Sequence, residues 1–205
     1  MMTIDFDVWD SIKGFMDREE AARLYCIALK ASESGPVLEI GSYCGKSAYI
    51  IGSACKENDS ILYSIDHHDG SEEQQPNEEY FDPDLFDPQI SRINTFPFFR
   101  ETIRRTALEH TVVPIVARSS TAGKMWDTPI SMLFIDGGHS FEAVRTDYLT
   151  WARHIKSHGF LVIHDIFKDP EKGGQAPREI YETALASEDY EALEMIKTLG
   201  VLRKK

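Results

Sequence analysis

Five short apolar runs, each closing on polar or glycine residues, constrain this chain more than any other feature. They are Val37–Ile40, Ile61–Ile65, and residues 113–117 (VPIVA), 132–135 (MLFI) and 160–163 (FLVI). They run continuously apolar rather than alternating, which is the pattern of strands buried on both faces. Helical patterns at Ser47–Cys55, Phe98–Leu108, Phe141–Ile155 and Pro177–Ala186 separate or follow them. That alternation predicts an α/β fold: a doubly wound, Rossmann-like, mostly parallel sheet with helices on both faces. Residues 17–32 add a cover helix, with Ala21, Leu24, Tyr25, Ala28 and Leu29 on one stripe. Asp17 caps it, and Glu20 three residues on completes a loose capping box. The last segment, about Tyr190–Arg203, reads as a hairpin closing one sheet edge.

At 205 residues the chain fits a single domain over 1–205 that buries a core without disulfides or structural metal. Its formal net charge of −12 argues against a nucleic-acid backbone as partner, since phosphate binding relies on clustered Lys and Arg. An anionic membrane surface is disfavoured for the same reason. Cys26, Cys44 and Cys55 form no C-x-x-C pair and are odd in number, which points to free thiols in a reducing compartment. The acidic start MMTIDFDVWD lacks the basic and apolar regions of a signal peptide. A cytoplasmic protein is expected. A homo-oligomer stays open.

Residues 69–97 (DGSEEQQPNEEYFDPDLFDPQISRINTFP) break the pattern, being rich in acids, proline and aromatics with no clear period. A loop this long inside a domain is usually functional or disordered. Tyr80, Phe81, Phe86 and Phe96 favour an acidic lid over a solvated linker.

In an open parallel sheet, ligands bind beyond the carboxyl ends of the strands, where the strand order reverses. Four loops leave strand ends here with residues suited to one ligand. The first is Glu39-Ile40-Gly41-Ser42-Tyr43-Cys44-Gly45-Lys46-Ser47, whose glycines permit positive φ and whose following helix offers free N–H groups to a carboxylate. Its G-x-x-x-G spacing lacks G-x-G-x-x-G, which disfavours a dinucleotide and suits a smaller ligand. The second opens at Asp66, where a carboxylate can accept both hydroxyls of a ribose. His67 follows it, within reach of the same ligand or a metal. The third, Ala117-Arg118-Ser119-Ser120, offers polar partners to an adenine edge. The fourth is Asp136-Gly137-Gly138-His139.

The run VLEIGSYCGKSA resembles the first motif of class I methyltransferases, and is especially similar to the catechol O-methyltransferase type. The likeness spans about residues 35–165. It implies S-adenosylmethionine as cofactor, with Glu39, Gly41, Ser42, Gly45 and Ser47 at its methionine end. It also implies Asp66 on the ribose, and Ser119 and Ser120 near the adenine. The N-terminal helix and C-terminal segment resemble macrocin-type and related sugar or antibiotic O-methyltransferases more loosely.

FIDGGHSFEAV and FLVIHDIF bring Asp136, His139, His164 and Asp165 to the ends of what should be adjacent strands. Two carboxylates with an imidazole suit Mg²⁺ or Mn²⁺, acting as a Lewis acid on a bound hydroxyl. Catechol-type enzymes place metal-binding acids at these two strand ends. Asp136 and Asp165 match, and His164 stands where that family usually has an Asp. Its pattern also makes His139 the base that removes the hydroxyl proton, a task suited to an imidazole near neutral pH. Asp136 then serves cofactor, metal and catalysis together.

The reading is O-methylation of a small hydroxylated acceptor: a sugar, a phenol or an antibiotic-like polyol. The acidic insert disfavours a strongly anionic acceptor. A metal-dependent hydrolase, an aminopropyl transferase and a non-catalytic S-adenosylmethionine-binding module stay open. The hydrolase would leave the glycine loop and Asp66 together unexplained.

Overall fold

The structure is a computed structural model describing residues 4–78, 80–138 and 140–205. Its strands are β1 (Val37–Ile40), β2 (Leu62–Asp66), β3 (Phe86–Asp87), β4 (Arg92–Ile93), β5 (Val112–Val116), β6 (Ile130–Ile135), β7 (Ile155–Ile163), β8 (Tyr190–Ala192) and β9 (Gly200–Lys204). Its α-helices are α1 (Phe6–Asp10), α2 (Arg18–Ser32), α3 (Lys46–Glu57), α4 (Phe96–Arg105), α5 (Ser119–Ala122), α6 (Phe141–Trp151) and α7 (Ala176–Ala186). Each expected strand and helix is present, with bounds shifted by a few residues. The largest shift is in β7, which starts five residues before the apolar run because Ile155 already pairs with Ile130 across a register irregularity.

The main sheet runs β5-β2-β1-β6-β7-β9-β8. The first five strands in that order are mutually parallel, and β9 and β8 close the edge as an antiparallel hairpin. From β1 the chain winds outward through β2 to β5, then returns to β6 on the other side of β1. The order therefore reverses between β1 and β6, which opens a crevice at their carboxyl ends.

Strand side chains alternate between the two faces, and both faces are covered, which accounts for the unbroken apolar runs. Met132, Phe134, Phe160 and Val162 pack with Leu24, Ala28, Ile50 and Ile51 of α2 and α3. Their neighbours Leu133, Ile135, Leu161 and Ile163 pack on the opposite face with Trp151 of α6 and Ile180 of α7. Each fully buried aliphatic or aromatic side chain contributes about 1.5–3 kcal/mol. No described helix is long and apolar enough to cross a membrane.

The acidic insert is more built than its composition suggests. Short 3₁₀ turns at Glu72–Gln74 and Pro83–Leu85 lead into the β3–β4 hairpin. Leu85 and Ile93 are buried with Cys44 of the glycine loop, and Tyr43, Phe81 and Phe86 pack around them. Lys13 clamps the turn from outside through Asp82 (2.5 Å) and Asp84 (2.9 Å). Residues 96 and 97, read as insert, are the first turn of α4, with Pro97 at a position that tolerates it.

Candidate functional site

Parallel pairing aligns the strand ends. Gly41 N–H donates to the Ile65 carbonyl, Asp136 N–H to that of Ile40, and His164 N–H to that of Ile135. The residues just past β1, β2, β6 and β7 thus sit side by side along one edge. Gly41 has φ +84°, and a Cβ built there would lie 2.1 Å from the Asp136 carbonyl oxygen. Only glycine lets the two loops pass this closely. Gly45, at φ +90°, then opens α3.

Asp66 braces the glycine loop. One carboxylate oxygen accepts from the backbone N–H groups of Ser42 and Tyr43, both at 2.9 Å, and the other accepts from His68 N–H at 2.7 Å. Ser42 Oγ is buried with no hydrogen-bond partner among the described residues, a hydroxyl that a ligand could satisfy. Beneath the loop Glu39 is fully buried, accepting from Ser47 Oγ (2.9 Å) and Ser64 Oγ (2.6 Å). Burial pushes its carboxyl up to about 8 against the pull of those two hydroxyls.

Asp136, His164 and Asp165 meet beyond β6 and β7. One ligand atom from each lies within 4.8 Å of the others. His164 Nδ1 faces Asp136 Oδ1 at 3.1 Å and Asp165 Oδ1 at 3.4 Å. Asp165 holds the left-handed conformation at φ +59°, which a short polar side chain tolerates better than most. A narrow cleft opens alongside, lined by Gly137, Gly138, Ile163 and Pro177 among others.

His164 is buried, and its other nitrogen meets a residue that sequence reading treated only as a helix cap. Nε2 lies 3.1 Å from Glu20 Oε2. The capping box of α2 is present, since Glu20 Oε2 also accepts from Asp17 N–H at 3.2 Å. Glu20 Oε1 accepts from the N–H (2.8 Å) and hydroxyl (2.7 Å) of Thr198, just before β9. Burial works against the Glu20 charge, but the bonds from His164 and Thr198 outweigh it and bring the carboxyl down to about 2. Burial likewise opposes a charged His164 ring, and Asp136, Asp165 and Glu20 together hold its pKa well above the ordinary value. Nδ1 of His164 is thus the ring atom that faces both aspartates.

The remaining candidates are dispersed. Ser119 is half-buried and donates its hydroxyl to Asp147 of α6, whose carboxyl burial raises to about 6. Ser120 is exposed in a separate shallow groove with Lys124, Thr146 and Arg153. His67 is half-buried, and its Nδ1 accepts from the backbone N–H of Asp69. His139, the expected base, lies outside the described residues. Glu20 is the residue that sequence reading missed, and its capping position was the one signal available.

Residues 38–166, more than half of the chain, match the family model described as a methyltransferase domain. Solved structures share the fold at low identity. An O-methyltransferase from Bacillus cereus in complex with SAH is 12% identical with a TM-score of 0.67, over 100% of this chain and 93% of that one. The SAH-bound methyltransferase of Podospora anserina is 13% identical with a TM-score of 0.67, over 98% and 87%. The O-methyltransferase TomG of Streptomyces achromogenes, involved in tomaymycin synthesis and in complex with SAM, is 16% identical with a TM-score of 0.61, over 93% and 81%.

Proposed function

The chain belongs to the methyltransferase domain family, of class I and dependent on S-adenosylmethionine, and on that premise we propose that it methylates a hydroxyl oxygen of a small molecule with help from a divalent cation. One observation carries this reading. The oxygen- and nitrogen-rich cluster of Asp136, His164 and Asp165 adjoins the glycine loop, whose Gly41 all but touches the Asp136 carbonyl. Acceptor and methyl donor would then share one edge of the sheet.

In this reading Glu39, Gly41, Ser42, Gly45 and Ser47 form the methionine end of the cofactor site, with Glu39 acting from below through Ser47. The unpartnered Ser42 hydroxyl supports a ligand there. Asp66 reaches the ribose with the acceptor capacity its three backbone bonds leave over. Ser119 lies toward the adenine; Ser120, exposed in its own groove, is the weaker of the two assignments.

The donor set of Asp136, His164 and Asp165 fits Mg²⁺ or Mn²⁺, which when bound would lower the pKa of an acceptor hydroxyl. The chain's own residues hold the acceptor in line with the sulfonium and take up one proton. S-adenosylmethionine would supply the methyl group, its carbon–sulfur bond breaking as the bond to the acceptor oxygen forms and S-adenosylhomocysteine leaving, and His139 would take the hydroxyl proton. Two of the three structural relatives described above are named O-methyltransferases, which supports oxygen as the nucleophile. The acidic insert disfavours a strongly anionic acceptor and leaves a sugar, phenol or antibiotic-like polyol. We read residues 1–205 as one methyltransferase domain.

The test is label transfer from methyl-labelled S-adenosylmethionine to a panel of neutral sugars, phenols and polyols. Transfer should occur with Mg²⁺ and stop in chelator and in Asp165→Ala. Full activity in chelator would remove the metal from the account, and transfer to nitrogen or carbon alone would remove the hydroxyl.

A further inference from the structure

Glu20 uses both carboxylate oxygens, and its hydrogen bonds leave little freedom to the ring beside it. Oε2 accepts from Asp17 N–H and meets His164 Nε2; Oε1 accepts from Thr198 N–H and Oγ1. Both oxygens already serve as acceptors for Asp17 and Thr198, so this carboxyl meets the ring as an acceptor and the ring donates from Nε2. The side chains of Glu20 and His164 are 5% and 6% exposed, so no bulk solvent stands in for either partner. With Nε2–H pinned, Nδ1 is the nitrogen turned toward Asp136 and Asp165.

We infer that Glu20 is a positioning residue for the metal site: its carboxylate fixes the tautomer and orientation of His164, so that Nδ1 completes the donor set with Asp136 and Asp165. This rests on the metal reading proposed above. A carboxylate behind a ligating imidazole also raises the ring's basicity toward the metal, and losing such a partner typically weakens metal binding. The assignment ties the start of α2 and the approach to β9, both outside the matched residues 38–166, to the reacting edge of the sheet.

The experiment is Mn²⁺ titration of the full chain, read by the loss of free-ion paramagnetic resonance signal, on wild type, Glu20→Gln and Thr198→Val. The Gln amide is a weaker acceptor than a carboxylate, and its N–H can drive the Nε2 proton across to Nδ1, where it blocks the metal. Glu20→Gln should weaken Mn²⁺ binding by about 10–100-fold. Thr198→Val removes one bond to Glu20 without touching the ring, so it should cost some stability and leave Mn²⁺ affinity within about twofold. Equal affinity of Glu20→Gln and wild type overturns the inference, as does an equal loss in both variants. A wild-type chain that takes up no Mn²⁺ overturns the metal reading and this assignment with it.

Should Glu20→Gln fail to fold, ¹⁵N-histidine spectra of the wild-type chain carry the test. The imidazole whose nitrogens shift on adding Mg²⁺ should keep its proton on Nε2. A retained proton on Nδ1 would overturn the assignment.

Discussion

Glu39 is held at the floor of the glycine loop with no exposure to water, and two serine hydroxyls stand in for solvent. Its carboxyl is raised from the ordinary 4.5 to about 8 by that burial, with Asp136 and Asp66 adding a smaller push in the same direction. The folded chain therefore holds a proton that the unfolded chain releases. The resulting stability is fully present below pH 4.5 and is lost as pH rises through about 8. Glu39→Gln mimics the protonated acid and should lack this loss. Thermal melts of wild type and Glu39→Gln from pH 5 to 9 check it: the wild type should fall relative to the variant as pH rises, and parallel profiles would contradict the assignment. Residues of this kind were only half legible in the sequence. The position of Glu39 before Gly41 marked it as part of a ligand loop, but its depth beneath the loop depends on Ser64, a neighbour only once β1 and β2 pair. The Glu20–His164 contact, between residues 144 positions apart, carried no local sign beyond the capping pattern.

The strands and helices were legible because each is a periodic or continuous apolar pattern long enough to read. The hairpin of β8 and β9 was legible as an edge. The insert was not, because its order rests on single anchors: Leu85 and Ile93 are two buried residues in an acidic, proline-rich stretch and set no period. They pack on Cys44, so the insert is seated on the glycine loop itself and is placed to respond to what that loop binds. Lys13 ties the insert to the segment between α1 and α2 through partly exposed ion pairs, a class worth about 0.2–1 kcal/mol each. Lys13→Ala should speed limited proteolysis within residues 69–97 while moving the global melting temperature little, since local opening is separate from global unfolding. S-adenosylmethionine should slow cleavage in both proteins. Equal cleavage of Lys13→Ala and wild type would mean that the insert is held by its apolar anchors alone.

At the scale of the whole molecule, the reversal of strand order between β1 and β6 brings the candidate residues of four strand ends to one crevice. Glycine loop, Asp66, Asp136 and His164-Asp165 come from four strand ends spread over more than a hundred residues, and pairing alone aligns them. The order of those motifs along the chain let the sequence predict their convergence. It did not reveal that the terminal segments join in, through Glu20 from one side and Thr198 from the other. Cofactor binding at this crevice comes before everything else proposed, because a metal and an acceptor would have a role only beside a bound methyl donor. The direct measurement is calorimetric titration of S-adenosylmethionine into metal-free wild type and into Asp66→Ala. Saturable binding at one site per chain is predicted for the wild type. In Asp66→Ala it should be weaker by about 1–3 kcal/mol, as the ribose and the Ser42 and Tyr43 N–H groups lose a charged acceptor together. A wild-type chain that binds no S-adenosylmethionine, or a folded Asp66→Ala that binds it as tightly, would contradict the account.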